Sequence, residues 1–212
     1  MHRLIMLSAM YQQGSASEAS PDSYAAFPRR RLSAEELRDA ILAISGELDL
    51  SPAREHPFPS PLGWGYSQHG PFSAVYENNK RSVYLMVQRI KRHPFLALFD
   101  GADPNTTTPE RRATTVPTQA LFFLNDPFVH AKAEKCATRL QAARSDEAQR
   151  IDLVHRLTLG RPPTVAERND AAEFLAAYRT ELAAAGKGDT GTAALAAYVR
   201  TLFGSNEFLH LD

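Results

Sequence analysis

The chain has 212 residues, of which 43% are hydrophobic and 23% charged, so it can bury a sizeable core and has ordinary globular composition. Its 24 basic and 24 acidic residues balance, which excludes a net field favouring nucleic acid or an anionic membrane. The single cysteine, Cys136, excludes an internal disulfide and covalent c-type haem attachment, and no apolar run approaches the roughly 18 residues of a membrane span.

The N-terminal residues are apolar and allow two interpretations. Residues 1–12 predict a helix that is apolar nearly all round and therefore buried. Because a basic start is followed by an apolar run at residues 4–10, the same segment also mimics a short signal peptide, at the lower limit of length. Residues 13–28, rich in serine, alanine and proline, predict an extended loop.

A helix with clear boundaries follows three arginines at residues 29–31, which are typical of a solvated or carboxylate-paired face. Ser33 and Glu36 have the spacing of a capping box, and Gly46 is a plausible terminator. An apolar stripe at helical spacing predicts the buried face, formed by Leu37, Ala40, Ile41, Ile44 and Leu48.

Residues 51–71 contain five prolines and three glycines, so they predict no regular element. A β-hairpin is predicted at residues 72–76 and 81–90, because apolar residues alternate along the second segment and residues 77–80 have turn chemistry. Two strands alone are marginally stable, so this hairpin must pack on helices.

The most informative stretch runs from residue 93 to residue 129. It places aromatic residues, aspartates, asparagines and two arginines between two apolar runs. A long polar connection inside a compact domain indicates either a functional loop or a hydrogen-bonded structural knot. Its polar side chains are the candidate functional or structural residues, namely His93, Asp100, Asp103, Asn105, Arg111, Arg112, Gln119 and Asn125.

Two aspartates and an asparagine dominate the first half of this stretch. Asp100, Asp103 and Asn105 carry oxygen ligands, but their spacing differs from the known Ca²⁺ loop and Pro104 constrains the backbone between them. The favoured hypothesis is that they cap turns and hold buried backbone N–H groups. The aspartates could also perform acid–base chemistry with His93, which would require a cleft.

The arginines of the stretch have two possible roles. Arg111 and Arg112 can clamp a ligand's carboxylate or phosphate, or form internal salt bridges with Asp100 or Asp103, and the internal pairs are favoured. None of the seven histidines has the pair spacing of a helical zinc site, although a site assembled from distant histidines stays open. The sequence therefore predicts no metal and no cofactor.

After this stretch the chain predicts helices. A short apolar helix begins at Pro117 and ends near Asn125. Asp126 caps the next helix, whose inner face holds Cys136, which is predicted to be buried and inert.

Three more helices complete the prediction. One covers about residues 146–159 and ends at Gly160, and one runs from a capping box of Thr164 and Glu167 to about residue 185. A last helix follows the glycine-rich link at residues 186–191. The predicted fold class is mainly α, with a single domain over residues 1–212 built as a bundle of about six helices, one small β-hairpin and one long structured loop.

Several segments, spread over nearly the whole chain, resemble one family. Among them are Thr-Val-Pro-Thr-Gln-Ala-Leu at 115–121 and Leu-Asn-Asp-Pro-Phe-Val at 124–129. The others are residues 1–9, 30–46, 81–84, 93–100, 103–105, 159–164 and 205–209. In these segments the chain resembles the planctomycete-specific C-terminal domain of unknown function, which follows a sister domain of unknown function, often with a cytochrome-c-like domain ahead of both.

The resemblance implies large secreted or envelope multidomain proteins with a periplasmic or cell-envelope location. It implies no established activity and no catalytic residues. It also implies that the match begins inside the family domain, so that this chain lacks the N-terminal part and residues 1–12 are a truncated helix. An exposed apolar patch is then expected where the missing part would pack.

Two functional hypotheses follow. The first is an interaction or scaffold module of envelope multidomain proteins, with an N-terminal sister domain or a haem-bearing protein as partner, and with no nucleic acid and no membrane span. The second is a hydrolase or haem-coupled oxidoreductase fragment acting on polysaccharide, with the 93–129 stretch as its site. Unpaired carboxylates in an open cleft would favour the enzyme, whereas buried and mutually bonded groups would favour the module.

Overall fold

The computed structural model describes residues 1–14, 26–55, 62 and 75–211 of the chain. Helices dominate these residues, which confirms the mainly α class. None of the helices in this part is both long and apolar enough to cross a membrane. The elements in chain order are α1 (His2–Met6), β1 (Arg30–Arg31), α2 (Ala34–Ser45), a 3-10 turn (Ser82–Tyr84), α3 (Pro94–Leu98), α4 (Pro117–Asn125), α5 (Pro127–Ala143), α6 (Glu147–Leu159), α7 (Val165–Ala184), α8 (Thr190–Phe203), α9 (Asn206–Leu209) and β2 (His210–Leu211).

Helix boundaries follow the predicted caps. The Ser33 hydroxyl accepts from the Glu36 N–H at 3.3 Å, and the Glu36 carboxylate accepts from the Ser33 N–H at 2.8 Å, so the capping box begins α2 as predicted. Gly46 ends α2 in the left-handed conformation at φ +80°, where a side chain would be strained. Thr164 and Glu167 form the same box at α7. Local chemistry therefore decides where these helices begin and end.

The core lies around α5, which packs against both α2 and α8, while α7 packs against α8. The residues that α5 contributes are small or slender, so the neighbouring helices approach closely. Burial raises the pKa of the Cys136 thiol to about 12, and this cysteine is buried as predicted. The fully buried residues of α5 are Val129, Ala133, Cys136, Ala137 and Leu140.

The predicted hairpin is not the β element of this fold. Residues 75–90 contain no strand, and a 3-10 turn occupies Ser82–Tyr84 where the second strand was predicted. The first strand's residues 72–74 lie outside the described part, as do most residues of the loops predicted at 13–28 and 51–71. The prediction of a strand at residues 81–90 is therefore wrong.

Side chains of α2 explain this difference. Asp39 accepts a hydrogen bond from the Ser82 N–H at 2.7 Å, and the Arg38 guanidinium donates to the carbonyls of Asn78 and Lys80. Ser82 lies in the predicted second strand, and Asn78 and Lys80 lie in the predicted turn, so these contacts engage backbone groups of the predicted hairpin. These tertiary contacts thus outweigh the preference for a strand that the alternating pattern predicts.

The observed strand pair joins two distant parts of the chain. β1 and β2 pair antiparallel, with Arg30 opposite Leu211 and Arg31 opposite His210. The Leu32 N–H also donates to the Leu209 carbonyl at 2.9 Å. The entry to α2 is thereby tied to the segment after α9.

The N-terminal segment does not form the buried helix that residues 1–12 predict. α1 has five residues, none of them buried, and Leu4 is 80% exposed. Since α1 contributes nothing to the hydrophobic core, its apolar residues form a surface of this chain. We call this surface the apolar N-terminal segment, which consists of Leu4, Ile5, Met6, Leu7, Met10 and Tyr11.

The short helix α3 lies inside the stretch that the sequence assigns to a loop. Phe95 and Phe99 bury their rings here, with centroids 4.8 Å apart. Phe122 of α4 packs edge-on against both rings, at 5.4 and 5.5 Å. This aromatic cluster holds the 93–129 stretch to α4 and leaves polar residues at both ends of α3.

Candidate functional site

Most of the eight candidate residues lie in three environments. One is a hydrogen-bonded knot next to α3, one is an open polar groove, and one is a pocket with an aromatic wall. We define the loop knot as Arg31, Asp100, Thr114 and Gln119.

Asp100 occupies a sharp turn after α3. Its backbone has φ +63°, in the left-handed region that Asp tolerates better than most residues. Gly101 follows, and its N–H donates to the Leu96 carbonyl at 2.6 Å, while a Cβ on it would lie 2.7 Å from that oxygen. The turn aims the Asp100 carboxylate at Thr114, whose N–H and hydroxyl both donate to it at 2.8 Å. Asp100 therefore ties the two ends of the loop together.

Gln119 closes the knot from α4. It is 4% exposed, and its Nε2 donates to the Leu98 carbonyl at 2.9 Å while its Oε1 accepts from Arg31 at 2.9 Å. Arg31 also donates to the Thr114 carbonyl and lies 4.0 Å from the Asp100 carboxylate. Every member of the knot thus forms at least one hydrogen bond with another residue of the protein.

Asp103 and Asn105 hold a second turn by backbone contacts. The Asp103 carboxylate accepts from the Asn105 N–H at 2.9 Å, and its other oxygen lies 3.6 Å from Arg92. Asn105 donates to the Arg89 carbonyl at 3.0 Å, and Arg92 donates to the Gly101 carbonyl at 2.7 Å. These contacts tie the turn to the segment that precedes α3.

The two arginines of the stretch do not pair with its aspartates. Arg111 forms a two-pronged ion pair with Glu35, in the first turn of α2, at 3.0 and 3.1 Å. Arg31 and Arg92 contact Asp100 and Asp103 instead, so the favoured internal pairing is wrong in its partners. Among the described residues, the exposed side chain of Arg112 has no ion pair.

An open polar groove of about 870 Å³ lies along this loop. Asp100 and Asp103 line it, but both carboxylates accept hydrogen bonds from protein groups. Nowhere in the described ranges do three histidine, cysteine or acidic residues come together as a metal would require. The groove therefore offers the Arg112 guanidinium and threonine hydroxyls rather than a free pair of carboxylates.

The remaining two candidates lie elsewhere. Asn125 is exposed at the end of α4 and donates to the Leu121 carbonyl of its own helix at 3.1 Å. His93 lies at the start of α3, beside a pocket of about 590 Å³. We call this the aromatic pocket, and it is lined by Arg38, Glu77, Asn78, Asn79, His93, Pro94, Phe95, Phe122, Asp126, Phe128 and Lys132.

Three phenylalanines form the apolar wall of the aromatic pocket. The Phe95 ring meets Phe122 at 5.4 Å and Phe128 at 5.8 Å, both edge to face. This geometry is the favourable one for aromatic pairs. Phe95 is buried, whereas Phe122 and Phe128 stay partly exposed and can contact a ligand.

The histidine of the pocket is already engaged. The His93 Nε2 lies 3.2 and 3.3 Å from the two carboxylate oxygens of Glu77, and the His93 hydrogen bond lowers the pKa of Glu77 below its usual range. Nδ1 of His93 is buried and has no partner within the described chain. Neither nitrogen is open to a reacting group, so His93 is a poor general base in this arrangement.

Two cationic side chains complete the pocket. The Lys132 ammonium donates to Glu47 at 2.8 Å and Asn79 at 3.1 Å, and lies 5.6 Å from the Phe128 ring centre. Arg38 is 1% exposed and donates to backbone carbonyls, and burial lowers the pKa of its guanidinium. Both cations are held in place by hydrogen bonds to other parts of the protein.

Sequence reasoning missed Arg38, Glu77 and Lys132. Arg38 did have a signal, because it lies three and four residues before Ile41 and Leu42 on the buried face of α2, where a charge is unusual. The other two have none, since their partners are far away in the chain.

Comparison with known proteins identifies a family for this chain. The model of a family named PSD1, described as a protein of unknown function (DUF1553), matches residues 1–175. No curated protein and no solved structure matches the chain. All residues of the loop knot, the polar groove and the aromatic pocket lie within the matched residues.

Proposed function

Since the chain belongs to the PSD1 family of proteins of unknown function, we propose its role from its surfaces, as an interaction or scaffold module of envelope multidomain proteins. The partners we propose are those the resemblance implies, an N-terminal sister domain or a haem-bearing protein of planctomycete type. The periplasm or cell envelope is the corresponding location.

The aromatic pocket is the observation that carries this proposal. Its volume of about 590 Å³ lies in the range of ligand pockets, and its wall of phenylalanine rings suits an aromatic or branched aliphatic side chain. Anchors of this kind supply most of the binding energy at protein interfaces. The rim of His93, Glu77 and Lys132 is already paired, which favours binding over proton transfer.

The apolar N-terminal segment supports the same function. Leu4 is 80% exposed, Met10 65% and Tyr11 58%, and these side chains lie close together in the sequence. Exposed groups of large apolar residues mark interaction surfaces. We propose that the sister domain covers this segment.

The competing hypothesis places polysaccharide chemistry in the polar groove. A general acid or base must exchange a proton with its substrate, and a nucleophile must reach the reacting carbon. The Asp100 carboxylate instead accepts two hydrogen bonds from Thr114, and Asp103 holds the Asn105 N–H. The enzyme hypothesis therefore ranks behind the interaction module. Sugar release from envelope polysaccharide by the intact chain, lost on Asp100→Asn, would reverse this order.

The test is a binding titration between this chain and separately expressed sister domain. Phe128→Ser removes one ring of the pocket wall, and Asn79→Trp fills the pocket from its exposed rim. Each is expected to weaken the complex about thirtyfold or more, as loss of a hot-spot contact does. The matched control is Leu121→Ser, which removes an exposed leucine of α4 that does not line the pocket.

The outcomes separate clearly. Weaker binding of both pocket variants, with the control unchanged and all three proteins folded by circular dichroism, supports the proposal. Equal binding by all variants assigns the interface elsewhere and overturns the pocket's role. An intact chain that binds neither the sister domain nor the haem-bearing protein overturns the interaction module itself.

A further inference from the structure

A second pocket lies where α6, α7, α8 and α9 meet, outside the 93–129 stretch. Its volume is about 320 Å³. Three carboxylates and two aromatic rings contribute to a lining that also holds apolar side chains. We call it the acidic pocket, and its polar and aromatic lining residues are His155, Glu167, Asp170, Phe174, Tyr198 and Glu207.

Its carboxylates outnumber the cations that pair with them. Arg161 donates to Glu167 at 2.6 and 2.8 Å and to Glu207 at 2.6 and 2.7 Å, so one guanidinium serves two carboxylates. Asp170 is exposed and adds a third carboxylate that has no ion pair within the described residues. The pocket therefore keeps a negative field even with Arg161 in place.

Another arginine at the start of α7 does not cancel this field. Arg168, in the first turns of α7, donates to Asp152 of α6 at 2.7 Å and is thereby neutralised. Burial, followed by the charges of Glu167 and Asp170, raises the pKa of the Tyr198 hydroxyl to about 12. The Tyr198 hydroxyl, which lines the pocket, is thus close enough to Glu167 and Asp170 for their charges to act on it.

Aromatic rings form one wall of the same pocket. The Phe174 ring lies 5.8 Å from Tyr198 and is stacked on Tyr178 at 5.5 Å, with an angle of 15° between the planes. The faces of such rings attract cations, most strongly where water is partly excluded. Carboxylates and ring faces thus favour the same kind of ligand.

A buried polar atom lies in the lining as well. His155 is 2% exposed, and its Nε2 and the Tyr198 hydroxyl are 2.8 Å apart. Nδ1 of His155 is buried and without a hydrogen-bond partner in the part of the chain that the structure describes. Buried polar atoms are rarely left unpaired in folded proteins, and the residue that carries this one lines the pocket.

We propose that the acidic pocket binds an organic ammonium cation, supplied either by a free alkylamine or by a lysine side chain. An ammonium group carries donors and no acceptor, which complements the carboxylates of Asp170, Glu167 and Glu207. Its methylene groups match the apolar lining next to Phe174. The volume of about 320 Å³ accommodates an alkylammonium chain rather than a larger cofactor.

The test titrates the full chain with butylammonium chloride and follows the amide signals by NMR. Saturable shifts are expected around Phe174 and Tyr198, with a Kd in roughly the millimolar range. Butanol, which has the same chain without the charge, is expected to cause no saturable shift. Asp170→Asn and Phe174→Leu are each expected to weaken binding at least about threefold.

Glu173→Gln is the matched control, because it removes the same charge from an exposed position of α7 outside the pocket. Binding by this variant within about twofold of the original chain supports a local site rather than general attraction. Equal loss in Glu173→Gln and Asp170→Asn, equal binding of butanol, or no saturable shift at about 100 mM overturns the proposal.

A second arm identifies the source of the ammonium group. A capped Gly-Lys-Gly peptide that binds at least as tightly as butylammonium, with the same dependence on Asp170, assigns the pocket to a lysine side chain. Binding of butylammonium alone assigns it to a free amine. This result is independent of the sister-domain titration, since the two pockets share no lining residue.

Discussion

The bundle around α5 and the 93–129 stretch are stabilised by different interactions. In the bundle, helices α2, α5, α7 and α8 bury apolar side chains with almost no exposed surface. In the stretch, one aromatic cluster supplies the apolar anchor, and hydrogen bonds from side chains to backbone groups hold the remaining residues in place. Burial energy scales with area and tolerates small shifts, whereas hydrogen bonds depend on direction and on every partner being present.

Leu140→Ala tests the bundle and should have the largest effect. Leu140 has no exposed surface, so the substitution leaves a cavity and should lower the free energy of unfolding by about 2–5 kcal/mol. Urea denaturation measures this. The control is Leu124→Ala, at a position 65% exposed on α4, which should change stability by less than about 0.5 kcal/mol. Equal losses in both variants would contradict the assignment of the core.

Gln119→Ala tests the loop knot and should have the next largest effect. It leaves the Leu98 carbonyl and one donor of Arg31 without partners, at a site 4% exposed. The expected cost is about 1–3 kcal/mol in the same measurement. Asn125→Ala is the control, because it removes only an exposed hydrogen bond within α4. A cost no larger than the control's would mean that the knot does not stabilise the fold.

Asp103→Ala should have a smaller effect within the same stretch. Its side chain is 37% exposed, and water can replace part of what it gives to the Asn105 N–H. We expect a loss of about 0.5–1 kcal/mol by thermal unfolding. Asp100→Ala removes two hydrogen bonds from a side chain only 18% exposed and should cost more. A larger loss of stability for Asp103→Ala than for Asp100→Ala would contradict the greater structural role that we assign to the loop knot.

The last effect is a pH dependence of stability, which arises in helix α6 rather than in the 93–129 stretch. Burial lowers the pKa of His155, with Glu167 opposing this shift and Arg161 adding to it. The unfolded chain therefore binds the proton more readily, and stability should be lost as pH falls below about 6.5.

Urea denaturation at about pH 7.5 and pH 5 measures this dependence. His155→Leu should reduce the difference between the two values. Leu157→Ala, on the same helix, destabilises without removing a titratable group and should keep the difference. A difference that survives His155→Leu unchanged would assign the pH dependence to other residues.

The candidate residues of the loop could be named in advance, but their grouping could not. Composition singled out Asp100 and Gln119, yet the residue that joins them, Arg31, is 88 positions before Gln119. Arg111 is a comparable case, since its partner Glu35 lies 76 positions away. Residue types indicate that polar groups need partners, and only the folded chain decides which ones meet.

By itself the sequence determined the long helices α2 and α4 to α7 and where they begin and end. Caps such as Ser33 with Glu36, and glycines such as Gly46 with a positive φ, act within a few residues, so they can be recognised without a fold. The tertiary structure alone decided that residues 81–90 are not a strand, that residues 1–12 do not form a buried helix, and that the two pockets exist. Each of these depends on groups far apart in the chain, where side-chain contacts with α2 or the packing of several helices outweigh local preference.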